Sequence, residues 1–165
     1  MATDAMYDLG SYNFQRGFGY LMADVLISGE TESRSELASG DLATERARRA
    51  QAAIEEAVHS DPGNAHAWAA LGWAFLRQGE AERAVDALHV SWEIAPYNRA
   101  LADTRLSLVG VLSNPDVSDD ALLETNKDGI LRDAAVLKQY DKRTYDFYSE
   151  ISPHLFALIE SWESY

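Results

Sequence analysis

The sequence predicts an all-α fold, in which antiparallel helical hairpins stack as a short solenoid closed by a C-terminal capping helix. Three observations carry that prediction. Apolar residues recur at spacings of three and four along nearly every segment, not at the alternation of a strand. Clusters of Pro, Gly and Asn separate these segments at short intervals, as helix ends require. A 34-residue echo then appears, because Arg49-Ala50, Ala53-Ile54, Pro62 and Asn64 return as Arg83-Ala84, Ala87-Leu88, Pro96 and Asn98. A fixed period of that length is the mark of repeated hairpins, since one hairpin leaves an apolar face that only a similar neighbour can bury.

Length and composition agree with one domain. A chain of 165 residues buries roughly 70% of its unfolded surface in a single core, so it needs no covalent staples. Cysteine is absent, which excludes disulfides and thiolate-bound metals. Near the N-terminus, Tyr20-Leu21-Met22-Ala23 and Val25-Leu26-Ile27 are apolar, but Asp4, Asp8 and Asp24 interrupt them and no basic stretch precedes them. That pattern fits neither a signal peptide nor a membrane span, and predicts a soluble cytoplasmic protein. The net charge of −13 is concentrated at the ends: residues 1–64 and 113–165 each carry 5 basic and 11 acidic side chains, against 4 and 5 in 65–112. Such a field repels phosphate backbones, so nucleic acid is excluded as a partner, and a basic protein suits it better.

The elements follow in order. Residues 1–28 are expected to hold an N-terminal helix, from about residue 4, and the Ser-, Gly- and Glu-rich segment 29–43 reads as a loop. From Thr44 to about Ser60 the run of Ala, Arg and Glu forms helix readily, with Ala50, Ala53, Ile54 and Ala57 on one face. Asp61-Pro62-Gly63-Asn64 ends it: Pro cannot continue a helix, Gly supplies a positive φ, and Asn can cap the next one. Helices are expected at about 65–77, 81–94 and 99–112, broken at Gln78-Gly79, Ala95-Pro96-Tyr97-Asn98 and Ser113-Asn114-Pro115. Together, 44–112 form the repeat core.

The C-terminal helices occupy 113–165. Ser118 is placed as an N-cap, with Asp119 and Asp120 in the first turn and the helix running to about Tyr140 through Gly129. A last segment starts near Asp141, where Tyr148, Ile151, Leu155, Leu158 and Trp162 share a stripe. Pro153 predicts a kink or restart, with Ser152 as its cap.

Residues 65–98 contain Trp68-x₂-Leu71-Gly72-x₂-Phe75, then Ala84-x₃-Leu88-x₂-Ser91-x₄-Pro96. This run resembles the tetratricopeptide repeat, whose pattern is Trp-x₂-Leu-Gly-x₂-Tyr, then Ala-x₃-Phe, then Pro. Residues 44–62 match the second-helix half of such a repeat through Ala50, Ile54, Ala57 and Pro62, and Gly17 and Tyr20 are candidates for its first-helix positions. Downstream the match weakens, since Leu106 stands where Gly is expected. The resemblance implies a concave groove lined by the first helix of each hairpin, here His66, Ala69, Trp73 and Arg77, followed by Asp103 and Ser107. It also implies that the family's carboxylate clamp of Lys and Asn is missing, because Ala69 and Trp73 hold the matching positions.

Catalytic and metal-binding patterns are weak, and no cofactor is expected. His59, His66, His89 and His154 are scattered, and Glu55 with His59 supplies two ligands where a metal site needs more. The run Asp116 to Asp120 lacks the Gly and Glu of a calcium loop, having Ala121 and Lys127 there. Gly17-Phe18-Gly19 lacks the third glycine of a dinucleotide loop. The leading expectation is therefore a non-enzymatic adaptor that holds a peptide or helix of another protein, with Trp73 as its anchor. One alternative is a small helical enzyme or regulatory subunit using His66 beside the N-terminal helix. Another is a self-associating assembly factor, in which Tyr145, Tyr148, Leu155 and Trp162 form a homodimer contact instead of a cap.

Overall fold

The computed structural model describes residues 36–164, with side chains from Arg48 onward. The helix expected at the N-terminus, with Gly17 and Tyr20, lies outside the described residues. Among the described residues eight helices follow one another: α1 (Glu36–Ser60), α2 (Ala65–Leu76), α3 (Ala81–Ile94), α4 (Arg99–Leu112), α5 (Asp120–Glu124), α6 (Lys127–Tyr140), α7 (Lys142–Ile151) and α8 (Pro153–Glu163). No strand occurs among the described residues, and none of these helices is long and apolar enough to cross a membrane.

Residues 36–43, expected as loop, belong to α1. Glu36, Leu37, Ala38, Leu42 and Ala43 are strong helix formers, and together they outweigh the cost of Gly40, about 1 kcal/mol. The repeat boundaries behave as the sequence implies. Asn64 caps α2 by accepting from the His66 and Ala67 amides at 3.1 Å, and Asn98 caps α4 by accepting from Ala100 at 3.0 Å. The positive φ falls on Gly79, at 76°, and not on Gly63. In the turn at Gly63, Asn64 N–H donates to the Asp61 carbonyl and Trp68 Nε1 to that of Pro62, so right-handed backbone suffices there.

Helices α2 and α3 form the tightest hairpin, and Gly72 makes their approach possible. A methyl group there would sit 2.9 Å from Leu108 Cδ2 and 3.1 Å from the Ala84 carbonyl. α1 packs on the outer side of α2, α4 lies beside α2, and α7 lies beside α4, so α2, α4 and α7 are neighbours in that order. α6 backs α4, and α8 closes on α6 and α7. Leu71, Phe75, Leu88, Trp92, Leu106, Val109, Ile130, Leu137, Leu155 and Ile159 form one continuous core. Each such large side chain contributes about 1.5–3 kcal/mol through burial.

Three further details differ from expectation. Asp119, not Ser118, caps α5, accepting from the Ala121 amide, while the Ser118 hydroxyl is turned back to the Leu112 carbonyl. The helix expected from there to Tyr140 breaks at Thr125-Asn126, where the Thr125 hydroxyl donates to Leu122 and Asn126 starts α6. The Thr125 hydroxyl thus competes for a backbone carbonyl, while the Asn126 side chain bonds Thr125 and His89, and both weaken helix continuation. The break also brings Gly129 flat against Trp92, where an added Cβ would lie 2.5 Å from the indole. Finally, Ile151 leaves the C-terminal stripe and is 56% exposed. Ser152 is non-helical, with φ −127° and ψ 59°, so α8 restarts at Pro153 with a different phase.

Candidate protein-binding groove

Helical spacing sets which residues of α2, α4 and α7 share a face. Positions 103, 107 and 111 follow every fourth residue on α4, and Trp73 stands opposite on α2. The result is an open cavity of about 550 Å³ lined by Trp73, Ser107, Gly110, Val111, Tyr148 and Ile151, with Pro115, Pro153 and His154 at its far end. That volume lies within the range of ligand-binding clefts. Trp73 is half-buried: one part of the indole packs on the core and the rest meets the cavity. Val111 and Ile151 are 42% and 56% exposed, so apolar surface remains uncovered along it.

The expected groove residues separate into two groups. Trp73 and Ser107 line the cavity, and Asp103 is one hydrogen bond away, accepting from the Tyr148 hydroxyl at 2.7 Å. Burial and the Asp103 carboxylate both push the Tyr148 phenol up, so it stays protonated and donates. Ala69 is fully buried against Ala65 and Leu101, where it allows α2 and α4 to approach, and it offers no groove surface. His66 and Arg77 lie outside this cavity's lining, since they sit at opposite ends of α2. His66 is half-buried, and burial first, then the Arg105 guanidinium, lowers its pKa and keeps the ring neutral at pH 7. Among the other sequence candidates, Glu55 accepts from Gln51 at 2.7 Å, and His89 faces Asn126 at 2.8 Å.

The C-terminal residues face inward. Leu155 is fully buried, Tyr145 meets the edge of Phe156 at a centroid distance of 5.1 Å, and Trp162 is packed against the core. Val111, Gly110 and Ile151 were not foreseen as groove residues. Val111 continues the 103–107 spacing and could have been read from it. Gly110 lets the turn at Ser152 sit close, since an added Cβ would be 2.7 Å from the Ser152 hydroxyl. Nothing local in the sequence marks Ile151, whose exposure depends on the restart at Pro153.

Behind the groove lies a buried polar cluster. Arg105 is fully buried, and its guanidinium donates to the Ser91 hydroxyl at 3.0 Å, the Ser91 carbonyl at 2.5 Å and the Ala95 carbonyl at 3.0 Å. The Ser91 hydroxyl in turn donates to the Ala65 carbonyl at 2.7 Å. Asp133, 1% exposed, accepts from Trp92 Nε1 at 2.6 Å and stands 3.7 Å from Arg105. Burial pushes the Asp133 carboxyl up to about 6, although Trp92, Arg105 and Arg132 pull it back down. One cluster therefore ties α2, α3, α4 and α6 together and holds the groove helices in register.

The profile described as Tetratricopeptide repeat matches residues 41–104. No curated protein and no solved structure matches the chain. The matched segment covers most of α1 through the start of α4, the part of the fold with the Gly72 crossing and the paired Asn caps. Residues 41–104 are thus similar to the tetratricopeptide repeat, and every described element around them is helical.

Proposed function

We propose that this chain is a non-enzymatic adaptor that binds a segment of another protein along α2, α4 and α7. Tetratricopeptide repeats generally mediate protein–protein interaction, and this chain's repeat segment leads directly into the cavity beside Trp73. The observation that carries the reading is a rigid aromatic, partly buried and partly open, on a cleft whose rim residues Val111 and Ile151 are exposed apolar groups. Anchors of that kind dominate binding energy at protein interfaces. Leu155, Tyr145 and Trp162 act as the cap of the helical stack in this reading, because their apolar surface is already spent on the core.

The test is affinity capture from the native host with wild type, Trp73→Ala, Val111→Ser and the α3 surface change Asp86→Asn side by side. The reading predicts one specific partner lost with Trp73→Ala and Val111→Ser but kept with Asp86→Asn, at unchanged helicity. Identical captures from all four proteins would remove the groove from the account.

A further inference from the structure

The groove's surroundings define the chemistry of its occupant. Among the described residues lining the cavity there is no Lys or Arg. Its walls are apolar at Trp73, Val111 and Ile151, its polar contributors include the uncharged Ser107 and Asn114, and its one imidazole, His154, is turned to Asp120. Two carboxylates outside the lining are bonded to side chains that belong to it, and one of them, Asp103, lines a neighbouring cavity with Arg99. Asp103 is held by the Tyr148 hydroxyl at 2.7 Å, and Asp120 is held by His154 Nε2 at 2.9 Å. Both acids are exposed, and Asp116, next to the lining residue Pro115, is exposed as well. A carboxylate has room for several donors, so these bonds leave it able to meet a cation. The surrounding segment 113–165 carries 11 acids against 5 bases.

We propose that the groove takes an apolar side chain from a partner segment in which Lys or Arg flanks that residue, the cations meeting Asp103 on one side and Asp120 on the other. This rests on the adaptor reading given above and names its partner's chemistry. An acidic or phosphorylated segment, or a free C-terminal carboxylate, would find no Lys or Arg among the described residues of the cavity wall, where the one imidazole, His154, already faces Asp120, and would meet the exposed Asp103 and Asp120 beside it. Complementary charge of this kind selects partners and speeds encounter more than it deepens affinity. Apolar contact at Trp73 therefore supplies the hold, and the acids supply the choice.

A phage-displayed library of random peptides, panned on the full-length chain, tests this. The expected binders carry an apolar residue flanked by Lys or Arg, and they are lost on Ile151→Ser or Val111→Ser, both exposed positions whose change leaves the core intact. Asp103→Asn combined with Asp120→Asn keeps the amide oxygens available to Tyr148 and His154. It should weaken those peptides about three- to tenfold at low salt, with the difference shrinking at high salt. Binders that need Ile151 but have neutral or acidic flanks, or that ignore the paired Asn changes, overturn the charge proposal and leave the groove standing. A library yielding no binder sensitive to Ile151 or Val111 overturns both.

Discussion

Replacing Arg105 by Met tests whether the buried cluster behind the groove holds the helices together. Met retains an unbranched apolar stem but removes every donor. The Ser91 and Ala95 carbonyls then lose bonds of 2.5 and 3.0 Å, and the Asp133 carboxylate, 1% exposed, loses its nearest cation. Removing one partner of a buried charge pair costs about 3–5 kcal/mol, because the carbonyls lose their donors and the Asp133 carboxyl must either stay charged without its cation or take up a proton at pH 7. Against a total stability of about 5–15 kcal/mol, that is a large fraction. Urea unfolding at pH 7, followed by far-ultraviolet circular dichroism, measures it. Adding Asp133→Asn should recover about 2 kcal/mol, since the amide oxygen still accepts from Trp92 and no charge is stranded. A loss below about 1 kcal/mol for Arg105→Met, or a further loss on adding Asp133→Asn, would refute the reasoning, because both are what a solvated surface pair would give.

Three further outcomes follow from the same packing. Asp133 binds its proton more tightly in the folded state, at about 6, than in the unfolded chain, so its contribution to stability is full below about pH 4 and is lost as pH rises through about 6. Wild-type stability should therefore fall across that window relative to Asp133→Asn, and parallel urea titrations that stay parallel would contradict the assignment. Gly129→Ala places a Cβ 2.5 Å from the Trp92 indole and should cost about 1–3 kcal/mol in the same assay, because α6 must move off α3. Tyr148→Phe removes the bond to Asp103 and should cost about 0.5–1.5 kcal/mol in thermal unfolding, with the helical content unchanged.

The repeat was legible because its positions are sterically demanding. Gly72 and Ala84 sit where two helices nearly touch, and Asn64 and Asn98 sit where free amides need an acceptor, so residue type and spacing reveal the geometry. The groove positions of Trp73 and Ser107 came from the tetratricopeptide resemblance, which carries its repeat positions onto α2 and α4. Arg105 and Asp133 were not foreseen, because a charge on a helix normally reads as a solvated face. The available signal was that Arg105 stands between the apolar positions Leu101, Leu106 and Val109, and Asp133 between Ile130 and Leu137. Ala69 was placed in the groove by its repeat position, yet its small side chain serves the close approach of α2 and α4. The break at Thr125-Asn126 draws on the distant contact of Asn126 with His89 as well as on the local Thr125 bond, and the outward turn of Ile151 adds the close approach of Ser152 to Gly110 to the restart that Pro153 announces.

The adaptor account is tested most directly by placing a photo-crosslinking amino acid at position 111 and, in a second protein, at position 86 on the exposed face of α3, then irradiating each in extract of the native host. The account predicts one discrete adduct from position 111 that vanishes when Trp73→Ala is added, and none of that size from position 86. The same adduct from both positions, or one from position 111 that is indifferent to Trp73, would contradict it.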